Sequence, residues 1–157
     1  MKDDEYYMAL AIKEAQKAAV IDEVPVGAII VDENQKVIGS GYNCPISSSD
    51  PTSHAEINAI RMASRALKNY RLIDTVLYVT IEPCIMCMGA IIHARISRIV
   101  FGANDPKWGG ATSLYALADD KRLNHHPEIV SGIYEEKTKQ IIKKFFLDKR
   151  SKSWEIQ

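Results

Sequence analysis

The chain has 157 residues, 46% of them hydrophobic and 25% charged, which is one globular domain's worth of core. Twenty Lys and Arg cancel twenty Asp and Glu, so overall charge selects no partner and only its local distribution is informative. Three cysteines, an odd number, do not make a disulfide framework, and no apolar run is long enough to span a bilayer.

The elements follow in chain order. Apolar residues Tyr6, Met8, Ile12, Ala15 and Ala19 recur at helical spacing and predict a helix over 5–19. The runs "VGAIIV" (26–31) and "VIGSGYN" (37–43) predict two strands, and the polar "DENQK" between them predicts a hairpin turn. "SSSDPTS" reads as a loop ending in cap residues, and a helix is expected over 54–67. "TVLYVT" (75–80) predicts a buried strand. Pro83 suits the first turn of a helix over 84–94. "RIVFG" (98–102) predicts a strand, "LYALA" a short helix after a glycine-containing loop, "EIVSGI" a last strand and residues 135–150 a last helix. Strands alternating with helices imply one α/β domain over 1–157, a mixed sheet covered by helices. The opening hairpin supplies an antiparallel pair, and the later strand–helix–strand units should be parallel. The start "MKDDE" is acidic and the end "KTKQIIKKFFLDKRSK" basic, so a neutral total hides a basic terminal helix. Ile141, Ile142, Phe145 and Phe146 give that helix a one-sided apolar stripe, expected to be mostly core. The N-terminus lacks a secretory pattern, so reduced thiols and a cytoplasmic setting are expected.

Two of the three cysteines stand in "EPCIMC", at Cys84 and Cys87. Alone, a C-x-x-C pair is compatible with redox chemistry, with core packing or with metal binding. The upstream "TSHAEINAI" decides between them. His54 alone is any histidine, and Glu56 alone closes a capping box with Ser53. A capping box needs neither a histidine nor a P-C-x-x-C downstream. His54 and Cys84 each open a helix, Cys84 and Cys87 share a face at i and i+3, and helix N-termini favour thiolates. Two thiolates and one imidazole suit zinc, and three protein ligands leave the fourth tetrahedral position open, the catalytic arrangement. An ion there lowers the pKa of water from 15.7 to about 7. Glu56 is then the proton carrier, provided that the site lies over the first turn of its helix.

H-x-E with P-C-x-x-C is the known signature of zinc-dependent base deaminases. Through "EVPVGAII", "GYNCPISSSDPTSHAE", "NYRLIDTVLYVTIEPCIMC", "GAIIHARISRIVFGANDPK", "LNH" and the terminal "FF", nearly the whole chain resembles the bacterial tRNA-specific adenosine deaminases. The resemblance implies a cytidine deaminase-like three-layer α/β/α fold with a five-stranded mixed sheet. It implies one Zn2+ per subunit, a homodimer, no membrane, and deamination of the wobble adenosine in the anticodon stem-loop of a tRNA. Carried over, His54, Cys84 and Cys87 match the zinc ligands and Glu56 the general acid/base. Asn43 matches a residue that holds the flipped purine, and Val26, Gly27 and Ala28 the strand behind the base. Asp105 and Lys107 match a loop that meets neighbouring nucleotides, and Phe146 of the "FF" is placed with the substrate contacts. Taken alone, Asn43 is a strand-end turn residue and "NDPK" an ordinary turn. Two departures stand out: His126 follows "LNH" where the family usually has arginine, and Trp108 occupies a loop where small or polar residues are usual. Cys44 matches no ligand. The rival functions are deamination of a free base such as guanine or cytosine, and a non-catalytic zinc or RNA-binding subunit, for which Glu56 would have no use.

Overall fold

The computed structural model describes residues 2–155, with side chains described as far as residue 152. The elements are α1 (Asp4–Val20), β1 (Gly27–Val31), β2 (Val37–Tyr42), α2 (Pro45–Ser48), α3 (Ala55–Leu67), β3 (Val76–Ile81), α4 (Ile85–Ala94), β4 (Arg98–Ala103), a 3₁₀ turn (Leu117–Asp119), β5 (Glu128–Ser131) and α5 (Glu135–Glu155). The sheet has five strands in the order β2-β1-β3-β4-β5. β1 is antiparallel to both β2 and β3, while β3–β4 and β4–β5 are parallel. The hairpin and the parallel pairs are as expected from sequence. β2, β3, β4 and β5 therefore all run one way, with β1 reversed among them.

Period-2 alternation along β1 divides the core into two layers. Ala28 and Ile30 belong to the cluster containing Ala55, Ala59, Met88 and Ile91 of α3 and α4. Ile29 and Val31 belong to the cluster containing Tyr7, Met8, Ala11 and Ile12 of α1, which Ile141 of α5 joins. Helices thus cover both faces, giving the three-layer α/β/α arrangement. α3 sits very close to the edge strand: a Cβ on Gly41 would collide with the carbonyl of Ala55. That close approach sets the height of α3's first turn above the sheet.

Several details differ from the periodicity argument. α1 buries Tyr7, Met8, Ala11, Ile12, Ala15 and Ala18, whereas Tyr6 is 44% exposed and Ala19 is exposed. The buried stripe is wider than the predicted row and displaced from it, because α1 lies across β2, β1, β3 and β4 together. Pro45 opens the extra short helix α2, where only a loop was expected. "LYALA" contributes only its end to a 3₁₀ turn. The stripe on α5 is not core: Ile141, Ile142 and Phe145 are half-buried and Phe146 is 45% exposed. Only Thr138 is buried among its described side chains, although the helix packs on β4 and β3.

Asp4 fastens α1 to the sheet. Arg98 of β4 donates two hydrogen bonds to its carboxylate, at 2.8 and 2.7 Å, and the Tyr78 hydroxyl donates a third at 2.9 Å. The Asp4 and Arg98 side chains are each about three-quarters buried, so solvent screens the pair only partly. Asp4→Asn should lower stability by about 1.5–3 kcal/mol, the range for hydrogen bonds to charged groups. Hydrogen bonding to Arg98 holds the Asp4 carboxyl below its ordinary range. Its stabilisation is therefore complete above the unfolded value of about 3.9 and fades as pH falls through the lower folded value. Denaturant midpoints of both proteins across pH 2–7, on the order of that titration range, should converge at the acid end.

Candidate metal centre

β2 and β3 run in the same direction, and the chain leaves each of them into a helix. Both helix starts therefore lie at the carboxyl edge of the sheet, the usual ligand-binding edge of such folds. His54 is the N-cap of α3 and Cys84 the N-cap of α4, both with extended backbone. Neither side chain caps its own helix; the two face one another instead. Cys87, one turn on and fully buried, completes the group.

The Sγ atoms of Cys84 and Cys87 each lie 3.6 Å from Nδ1 of His54. The three ligand atoms fall within 4.8 Å of one another. A tetrahedral ion with Zn–S of about 2.3 Å and Zn–N of about 2.0 Å places such S and N atoms about 3.5 Å apart. The residues present thus fit zinc in both donor chemistry and spacing. The electrostatics agree. Hydrogen bonds from Cys87 and His54 bring the Cys84 thiol down to about 4, while the bond to Cys84 and burial push Cys87 up. The hydrogen bond with Cys84 raises His54.

Glu56 stands in the first turn of α3 with 3% of its surface exposed. Burial holds its carboxyl above the ordinary range. The Ser53–Glu56 capping box does not form: the N-cap is His54, and Ser53 Oγ contacts Cys44 and Asn58 instead. Asn43, from the end of β2, supplies the cap across the fold, its Oδ1 accepting from Ala55 N at 2.8 Å. The Ala55 amide is thus served from outside the helix, while the Glu56 carboxylate lies beside its own amide.

Val26 and Ala28 are buried on the face shared with α3 and α4. Gly27 points the other way, where a Cβ would collide with the Ala11 carbonyl of α1. Its smallness is required by the packing of α1 on the sheet. Asp105 accepts from the amides of Lys107 and Trp108 at 3.0 and 3.2 Å, closing its own turn, and both of those residues are exposed. Phe146 lies on the outer surface of α5 against Phe145, with centroids 5.4 Å apart. His125 and His126 are held to the carbonyls of Ile96 and Asp120, at 2.7 and 2.8 Å. The departure at His126 therefore braces a loop. Of the basic residues on α5, Lys143 and Lys144 are exposed, but Lys149 pairs with Asp22 at 3.6 Å.

Two buried carboxylates escaped the sequence argument. Glu23 accepts from the amides of Ile46 and Ser47 and from the Ser47 hydroxyl, holding α2 in place. Glu82 holds the loop after β4. The available signal was a lone acid inside an apolar run, as in "VTIEPC".

Residues 1–103 match the family model described as the cytidine and deoxycytidylate deaminase zinc-binding region. This chain belongs to that zinc-binding deaminase family. A tRNA-specific adenosine deaminase of Haemophilus influenzae is 47% identical over 94% of the chain and 85% of the relative. One from Bacillus subtilis is 43% identical over 97% of the chain and 94% of the relative. A solved structure described under A-to-I editing by tRNA:A34 deaminases at the wobble position is 43% identical, with a TM-score of 0.83 over 87% of this deaminase and 98% of its neighbour. Within the family, the deaminase groups with these tRNA-specific enzymes. No helix among the described residues is long and apolar enough to cross a membrane.

Proposed function

We propose that this deaminase converts adenosine to inosine at the wobble position of a tRNA, with His54, Cys84 and Cys87 holding one zinc per chain and Glu56 moving the protons. The observation that carries this is a buried carboxylate in the first turn of α3 beside a three-ligand cluster. The tRNA specificity of the relatives supports the choice of substrate.

Zinc, when bound, supplies a Lewis acid that makes water nucleophilic at neutral pH. The chain's own residues do the rest. Glu56 takes a proton from the water attacking C6 and returns protons to ring N1 and to the departing amine. Water adds, ammonia leaves, and the purine becomes hypoxanthine. Asn43 has one amide oxygen engaged with Ala55, which directs its NH2 group to the base edge as a donor. Val26 and Ala28 give the purine a small apolar wall. An anticodon loop presents its base already unpaired, so extrusion is cheap. Asp105, Lys107 and Phe146 are assigned to neighbouring nucleotides, a homodimer is the expected assembly, and a cytoplasmic location follows from a tRNA substrate.

Purified protein incubated with tRNA, an anticodon stem-loop, adenosine, guanine and cytosine should produce inosine and ammonia from the RNAs. Better turnover of guanine or cytosine would move the function to free bases. RNA binding without turnover would make it a binding subunit. In the same assay, neutralising exposed Lys143 and Lys144 to glutamine should weaken tRNA binding. The salt dependence should flatten by up to ~0.7 in slope per lost contact. Lys149 is left out because it already pairs with Asp22.

A further inference from the structure

We propose that Glu82 is a positioning residue that clamps the loop 104–113 onto the backbone of Cys84, and that it sets how the enzyme grips RNA beside the target base rather than how it performs chemistry. The proposal rests on the tRNA substrate argued above.

Glu82 follows β3 and precedes Pro83 and Cys84. Only 2% of its surface is exposed. Every polar partner of its carboxylate comes from one loop. Oε1 accepts from Asp105 N at 3.1 Å, from Asn104 Nδ2 at 3.4 Å and from the Ser113 hydroxyl. Oε2 accepts from the amides of Thr112 and Ser113 at 2.8 and 3.0 Å. All five are donors, so the group is an anion caged by its loop. The same loop lies directly on the start of α4. Gly109 bridges to Cys84, and Gly110 N donates to the Pro83 carbonyl at 2.7 Å. A Cβ on Gly109 would stand 2.5 Å from the Glu82 carboxyl, so only glycine permits the contact. Between the two clamped ends the loop displays Lys107 and Trp108, the latter 63% exposed.

One buried carboxylate therefore fixes both ends of an exposed, cation- and aromatic-bearing loop next to a metal ligand. Glu82 is too enclosed to touch RNA. Its effect reaches substrate through the placement of Trp108 and Lys107, which suits stacking and phosphate contact beside the extruded base.

Glu82→Gln keeps the shape but turns an NH2 group onto donors, at either oxygen position. Under single-turnover conditions on tRNA, the half-saturating enzyme concentration should rise about tenfold, the equivalent of one lost charged contact. The rate at saturation should stay within about threefold, and zinc content should not change. Glu82→Asp should recover part of the loss, because it restores the charge. Ser113→Ala, a mild change of one partner, should move the half-saturation point in the same direction by less. A fall in saturating rate or zinc with unchanged half-saturation would make Glu82 part of the metal site's support and overturn the proposal. No change in any parameter would overturn it as well. Wild-type protein in parallel separates the two claims: if it does not deaminate tRNA, the substrate assignment is what failed. The clamp is then decided by hydrogen exchange. Faster exchange at the amides of Asp105, Thr112 and Ser113 in Glu82→Gln supports it, and unchanged exchange rejects it.

Discussion

Glu56→Gln should remove ~10²–10⁴ of the turnover on tRNA, the usual contribution of a general acid–base group, while zinc content and fold remain. Glutamine has the size and hydrogen-bonding reach of glutamate, and it would serve a helix cap equally well. Asn43 already satisfies the first amide of α3. What glutamine cannot do is take up and release a proton. The burial that makes Glu56 useful also makes it costly. Its folded pKa is raised by desolvation, so its contribution favours the fold at low pH and is lost as pH rises through that raised value. In metal-stripped protein at neutral pH, Glu56→Gln should therefore leave the melting temperature equal or higher. Single-turnover kinetics, zinc analysis and thermal melts on the same preparations test all three parts. Turnover near that of wild type would remove Glu56 from the chemistry.

Cys87→Ala should lose zinc and activity together. Cys87 is buried, and its Sγ forms one side of the ligand triangle. Its loss leaves a single thiolate and an imidazole, too few ligands to hold a tetrahedral ion against water. The drop in affinity should exceed the ~10–100-fold that follows loss of a mere supporting partner of a ligand. Cys44→Ala is the control. Cys44 contacts Ser53 and Asn58 and has no place in the ligand triangle, so zinc and activity should persist. Full zinc occupancy in Cys87→Ala would refute the ligand assignment, and loss of zinc in Cys44→Ala would mean that the loop 44–53 supports the site more than its geometry suggests.

Much of the architecture was legible because local signals agreed with the tertiary outcome. The hairpin, the central strands and the helices α3 and α4 follow from periodicity, Pro83 and the polar turn. Glu56 was harder. Its spacing from Ser53 fits a capping box, and no local rule reveals that Asn43 would take over the cap from a strand twelve residues upstream. The surroundings of Gly27 were hidden for a similar reason: alternation along β1 turns its Cβ direction toward α1, and the packing of that helix is a long-range contact.

The sequence by itself determined the chemistry that this chain can support. Residue types at His54, Glu56, Cys84 and Cys87, with their short spacings, supply candidate metal donors and a candidate proton carrier regardless of how the rest is arranged. Only the tertiary structure decided that His54 and Cys84 meet. They are thirty residues apart, and they converge because β2 and β3 run the same way and deliver both helix starts to one edge of the sheet. The tertiary structure also turned two acids with no recognisable motif, Glu23 and Glu82, into anchors for loops. A carboxylate becomes an anchor only when burial removes water and leaves backbone amides as its partners, and burial is a property of the whole fold.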